Sequence, residues 1–315
     1  MTEVVNLGPL RFAPAFKERV WGGHQLGQPS EAPIGEAWIL HEDQPVQDGP
    51  QAGKTLAELT RQYPRELLGK HWQQEHPQGG RFPLLIKLLD CQDWLSVQVH
   101  PNDEQARRMV GPGELGKTEA WHILKADEGA ELISGTREGT TQAELEQSIL
   151  AGNVSNLTEK RRVQTGETLM VPAGTLHALG PGLLIYEVQQ SSDTTYRVYD
   201  WDRPASAGRE LHLKQSAEVT RPGQAGFTPA VKVIDFSRLL ALCDYFMLEE
   251  LRGDLEDDTL GQSPHILTVK QGEASLTTPA GTEVLKPFDT VLIPAQLGEY
   301  ALTGDFQALR VSLPA

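Results

Sequence analysis

Successive side chains of an extended strand point to opposite faces. In Ser96-Val97-Gln98-Val99-His100 a hydroxyl, an amide and an imidazole therefore share one side, with Val97 and Val99 on the other. A face buried for structural reasons alone would be apolar, so this one must look into water or into a site. The same alternation puts Lys117 and Glu119 of Lys117-Thr118-Glu119 on a common face. Taken by itself, that pair reads as readily as a solvated surface ion pair, which contributes little. The most specific local pattern is G-x5-P-x-G-x2-H, running from Gly166 through Pro172 and Gly174 to His177. Gly166 permits a turn, Leu169 to Val171 form a strand, and Pro172 with Gly174 shape a tight corner that presents His177.

The elements that must hold these residues are mostly short strands. Phe82 to Leu89, an apolar run with one lysine, and Trp94 to His100 read as strands. Thr55 to Leu68 reads as a helix capped by Thr55, from the spacing of Leu56, Leu59, Tyr63 and Leu67. A second helix is predicted after Asn102 or Asp103, and a third from the capping box Thr141/Glu144 to Leu150, stopped by Gly152. Past Arg221-Pro222-Gly223-Gln224 the texture becomes closely spaced strands: Val231 to Asp235, Tyr245 to Leu251, Ile266 to Lys270, Ala274 to Thr278 and Thr290 to Ile293. Two units are thus expected, residues 1–225 and 226–315, in a mainly β chain.

The His177 pattern resembles the second motif of the cupin superfamily. That resemblance implies two double-stranded β-helix (jelly-roll) barrels with a few short helices on the first. Where cupins usually place H-x-H, this chain has Gln98-Val99-His100, with Glu119 following after a longer insertion. With Gly116-Lys117-Thr118-Glu119-Ala120-Trp121, Pro172 to Ala178, and Glu187-Val188-Gln189-Gln190-Ser191-Ser192-Asp193-Thr194-Thr195-Tyr196-Arg197, the chain from about Trp21 to Asp202 resembles the type I phosphomannose isomerase family in its compact bacterial form. By that resemblance Gln98, His100, Glu119 and His177 hold one Zn²⁺, with Mn²⁺, Co²⁺ or Fe²⁺ also compatible with a mixed N/O set. Glu187, Arg197 and Lys117 become the catalytic candidates. Ser96, Lys117 and Arg197 become the substrate-binding ones, for interconversion of mannose 6-phosphate and fructose 6-phosphate through an enediol. A cupin dioxygenase using iron and a non-catalytic sugar-binding bicupin are the rival readings, and neither has a use for Glu187 together with Arg197.

Phe288 to Glu299 repeats the spacing around His177, but Phe288, Gln296 and Glu299 stand where Gly, Gly and His would be. The second barrel is expected to hold no ion. His24, His41, His71, His76, His122, His212 and His265 are read as packed or surface residues.

Composition narrows the partners. A formal charge of -15 over 315 residues excludes nucleic acid and anionic membranes as plausible partners and requires local Lys and Arg if the substrate is a phosphate. Cys91 and Cys243, far apart and both read as buried, fit a reducing cytoplasm. No basic and apolar leader precedes Asn6, and no apolar segment reaches the ~20 residues that span a bilayer. The expected partner is a small sugar phosphate, and the chain is expected to be a monomer or a weak homo-oligomer.

Overall fold

A computed structural model describes residues 5, 7–27, 32–204, 209–234 and 236–314. The chain is mainly β, with four antiparallel sheets and a few short helices among the described residues. Its contacts group into two compact units, one comprising residues 1–15, 39–85 and 230–315 and the other residues 16–38 and 86–229.

In the second of these units a six-stranded sheet runs in the order Ala15–Gly23, Ile34–Leu40, Leu84–Cys91, Leu183–Gln190, Glu119–Ala126, Thr168–Val171. A five-stranded sheet runs Tyr196–Tyr199, Val97–Val99, His177–Leu179, Glu131–Thr136, Thr158–Arg162. Leu132 and Leu179 of the smaller sheet pack with Trp121, Ile123, Leu169 and Ile185 of the larger one in a single apolar core. The outer face of the five-stranded sheet is also apolar. There Val97, Val99, Ile133 and Val198 are covered by Leu145 and Ile149 of helix Gln142–Leu150 and by Val219 of helix Leu213–Val219. Both faces of this sheet are thus buried, which is why a polar set on the inner side of Val97–Val99 has to be a site.

The other unit contains a seven-stranded sheet that includes Leu10–Arg11, and a four-stranded sheet, Leu255–Asp258, Glu299–Thr303, Ala274–Thr278, Gly281–Leu285. Leu267, Val269 and Val291 of the larger sheet share a core with Leu276, Tyr300 and Leu302 of the smaller.

Three expectations need correction. The N-terminal residues do not all group with the site: Leu10 pairs with Leu292, and Lys70 N donates to Gly261 O at 3.1 Å, so residues 1–15 and 39–85 group with the C-terminal strands. The early helices accordingly belong to that unit, while Asp103–Met109, Gln142–Leu150 and Leu213–Val219 belong to the site-bearing one. The helix read over Thr55 to Leu68 is two helices, Leu56–Gln62 and Pro64–Leu68. Pro64 has no N–H to continue the first helix and forces Tyr63 out of helical geometry, at φ −137° and ψ 53°. Cys243 is half-buried rather than buried. The capping box expected at Thr141/Glu144 is present, and the caps at Thr55 and Asn102 are also capping boxes, closed by Glu58 and Gln105.

Candidate metal centre and active-site cavity

Three short segments bring the metal candidates together. Strand His177–Leu179 lies beside Val97–Val99 with His177 opposite Gln98, and Glu119 opens the strand paired to Thr168–Val171. Gly174, at φ +88°, makes the corner before His177, a conformation that a side chain would strain. Gly116 is needed for a different reason: a Cβ there would meet Asn102 C at 2.6 Å, so only glycine lets the Lys117 segment pass so close to the helix entry.

The resulting cluster consists of hydrogen-bond acceptors. His100 Nδ1 lies 2.9 Å from Thr194 O, and His177 Nδ1 lies 2.9 Å from Thr175 O. A carbonyl only accepts, so each Nδ1 carries the hydrogen and each Nε2 presents a lone pair to the interior. His100 Nε2 is 3.3 Å from Glu119 Oε1, and His177 Nε2 is 3.7 Å from Glu119 Oε2. Lone pairs therefore face lone pairs. His100 Nε2 and Glu119 Oε2 are buried without a hydrogen-bond partner. Such an arrangement is unfavourable unless a cation sits among the acceptors. The spacing fits one, because four ligands at ~2.0–2.2 Å from a tetrahedral ion stand roughly 3.3–3.6 Å apart.

Gln98 is placed differently from the expectation. Its Nε2 faces His177 Nε2 at 3.3 Å, and its Oε1 accepts from Ser96 Oγ at 3.3 Å. Half a turn about the last side-chain torsion exchanges the two atoms and brings the oxygen to the cluster, with Ser96 then accepting from the amide nitrogen.

Electrostatics keep the acceptors ready. Burial would raise the Glu119 carboxyl, but Lys117 Nζ at 3.3 Å and His100 hold it well below the usual carboxylate range. Burial, with Lys117 adding to it, lowers His100 from 6.5 to about 3, and burial also lowers His177. Both imidazoles are thus neutral at pH 7, as ligands must be. Between pH 6.5 and about 3 the unfolded chain protonates His100 while the folded chain does not, so acid favours unfolding over that window. In chelator-treated protein the melting temperature should fall from pH 7 toward pH 4, and a His100→Gln variant should show a shallower fall. Parallel curves for the two proteins would contradict this assignment.

The cluster lies at the wall of a cavity of about 370 Å³ to which both sheets contribute. Ser96, Gln98, Lys117, Glu119, Glu187 and Arg197 all line it, so the sequence-derived substrate and catalytic candidates converge. His100 and His177 stand just behind, each 1% exposed. Glu187 is buried on Leu183–Gln190, opposite Trp121 in register, and accepts from Trp121 Nε1 at 3.0 Å. Lys87 Nζ sits 3.2 Å from its other oxygen. Burial, then the charge of Glu119, raises the Glu187 carboxyl above its ordinary value, with Lys87 opposing. It is consequently a stronger base than a solvated glutamate. Lys87 would be lowered by burial but is held above its usual value by Glu187 and Glu36.

Lys87, Glu36, Arg19, Trp121 and Arg209 also line the cavity, and none had been assigned a role from the sequence. For Lys87 the signal was visible, since it is the single charge in the apolar run Phe82 to Leu89. Glu36 accepts from Arg19 Nε at 2.9 Å and Trp38 Nε1 at 2.7 Å, and Lys87 and Arg19 bring it down to about 2 against the effect of burial. Five of the chain's basic residues thus gather at the cavity despite the overall charge of -15. None of the other histidines is among the residues lining this cavity; His122 Nδ1 lies 2.9 Å from Thr168 Oγ1, and His76 stacks on Trp72.

A buried acceptor cluster suited to a cation, beside a basic carboxylate in a charged cavity of small-molecule size, defines an enzyme that moves protons on a polar substrate. Comparisons with known proteins give the class. A family model for phosphomannose isomerase type I, catalytic domain, matches residues 10–127. Mannose-6-phosphate isomerase ManA of Bacillus subtilis is 40% identical over 312 residues, covering 94% of this chain and 96% of the relative. A mannose-6-phosphate isomerase of Streptococcus mutans is 36% identical over 317 residues, covering 96% and 97%. The crystal structure of the mannose 6-phosphate isomerase from Bacillus subtilis superposes with a TM-score of 0.85 at 34% identity, covering 96% of this chain and 99% of that one. The chain belongs to the type I phosphomannose isomerases, a family of aldose–ketose isomerases.

Proposed function

We propose that the chain interconverts D-mannose 6-phosphate and D-fructose 6-phosphate through an enediol, with one Zn²⁺ held by Gln98, His100, Glu119 and His177. The observation that carries this reading is the His100, Glu119 and His177 cluster, with two buried acceptors that no donor satisfies, beside Glu187 at a cavity lined by basic groups. When bound, the ion supplies Lewis-acid polarisation of sugar oxygens. Glu187 removes the C2 proton of the aldose and returns it to C1 of the ketose, while the hydroxyl proton passes between O2 and O1. No external oxidant or reductant is needed for that exchange. Trp121 and Lys87 hold the two Glu187 oxygens, and Lys117, Ser96 and Arg197 bind substrate oxygens and counter developing negative charge.

The reading includes two cupin-type barrels, the C-terminal one degenerate and without an ion. Phe288, standing where the first motif has Gly166, keeps the left-handed turn at φ +71°, which supports a common origin of the two corners. Glu299 in place of His177 leaves no imidazole ligand there. It also includes a cytoplasmic location, supported by two unpaired cysteines. Incubating the protein with mannose 6-phosphate and following fructose 6-phosphate through a coupled assay tests the activity: steady product formation is expected. Oxygen uptake with bound iron and no isomerisation would contradict it.

A further inference from the structure

The segment that carries Lys117 and Glu119 enters its strand without a ladder to hold it. Glu119 is the first residue of Glu119–Ala126, so Gly116, Lys117 and Thr118 lie outside the sheets. Their three N–H groups nevertheless all have acceptors. Gly116 N donates to Asp103 Oδ1 at 2.7 Å, Lys117 N to Pro101 O at 3.0 Å, and Thr118 N to Gln190 Oε1 at 2.9 Å. Gln190 Nε2 donates in turn to the same Asp103 oxygen at 2.9 Å, and Gln190 N donates to Thr118 O at 3.2 Å.

Gln190 is 3% exposed and ends Leu183–Gln190, the strand that carries Glu187. Asp103 opens the helix Asp103–Met109, shortly after His100. One amide side chain therefore ties the strand of the proposed base to the helix entry that follows one metal candidate and to the segment that presents another. Thr118 extends the chain of contacts, since its Oγ1 accepts from Ala173 N at 3.2 Å in the corner before His177. Position 190 asks for an amide, because a single buried group must both accept from Thr118 N and donate to a carboxylate. A glutamate there keeps the acceptor but sets two carboxylates against each other, and a leucine leaves buried polar groups without a partner.

We infer that Gln190 and Asp103 are positioning residues for the reaction: their hydrogen-bonded pair clamps Gly116 to Thr118 and so sets Glu119 for the ion and Lys117 for the substrate. This rests on the ion-binding reading above and deepens it, because that reading gives neither residue a role. Neither of them lines the cavity, so both act through Lys117 and Glu119, which do.

The test compares wild type with Gln190→Glu, Asp103→Asn and the double variant Gln190→Glu/Asp103→Asn at mildly alkaline pH, where carboxylates are ionised. Zinc affinity, read by competition with a chromophoric chelator, should fall by about 10–100-fold in Gln190→Glu, the range for loss of a group that orients a metal ligand. Asp103→Asn should lose less, since its amide oxygen still accepts. The double variant should recover most of the affinity, because the asparagine donates where the aspartate accepted. KM for mannose 6-phosphate should follow the same order through Lys117. A purely architectural pair would lower the melting temperature and leave zinc affinity and KM of the folded variants at wild-type values, and that result would overturn the inference. Amide hydrogen exchange of the metal-free protein gives a readout that needs no ion: residues 116–119 should exchange faster in Gln190→Glu than in wild type and slow again in the double variant. If Gln190→Glu fails to fold, Asp103→Ala, which removes the acceptor shared by Gly116 and Gln190, decides by the same readouts. A wild type that binds no zinc, with exchange at 116–119 still accelerated in Gln190→Glu, would overturn the ion reading and leave the clamp standing.

Discussion

A His177→Ala variant should purify without a bound ion and turn over substrate about 10³-fold more slowly than wild type. The expectation follows from the position of the imidazole: its Nε2 converges with His100 and Glu119, where His100 Nε2 and Glu119 Oε2 are buried without a hydrogen-bond partner, and its Nδ1 is anchored at 2.9 Å on Thr175 O. Loss of an ion that contributes several kcal/mol of charge stabilisation corresponds to about three orders of magnitude in rate. Gln98→Ala should behave more mildly. A neutral amide oxygen is the weaker donor, and His100, Glu119 and His177 still converge, with ligand atoms within 4.8 Å of one another. Metal content after gel filtration separates the two variants, and equal loss in both would contradict the ranking.

The second large effect is expected at Glu187. Glu187→Gln keeps an acceptor for Lys87 or Trp121 but cannot take up a proton, so turnover should fall by about 10²–10⁴-fold. Solvent deuterium should no longer enter C2 of mannose 6-phosphate. The substitution leaves Lys87 near Glu36, so the buried ammonium does not lose every counter-charge. Fold loss is thus distinguishable from loss of chemistry by the melting temperature. Undiminished exchange in a folded variant would remove Glu187 from the role of base.

How much of this was legible in the sequence depended on the range of the interaction involved. The inward set Ser96, Gln98 and His100 could be read because the pleat has a period of two and both sides of this strand are buried. The helix entries at Asn102 and Thr141 could be read because a capping box is local. Grouping of residues 1–15 and 39–85 with the C-terminal strands could not, since it depends on pairings such as Leu10 with Leu292 that no local pattern encodes. Arg209 and Asp200 look like ordinary surface charges in sequence, and only the fold shows the aspartate buried between two arginines. Lys87 is the intermediate case. A lysine inside Leu84–Cys91, buried at every position, already demanded a buried partner, although the identity of that partner, Glu187 on the neighbouring strand, required the sheet order.

The most direct measurement is activity against bound metal during stepwise removal and restoration of Zn²⁺. Turnover of mannose 6-phosphate should vanish on exhaustive chelation and return in proportion to the ion bound, reaching its plateau at one ion per chain. Full turnover by metal-free protein, or a plateau reached only at two ions per chain, would contradict a single catalytic ion held by Gln98, His100, Glu119 and His177.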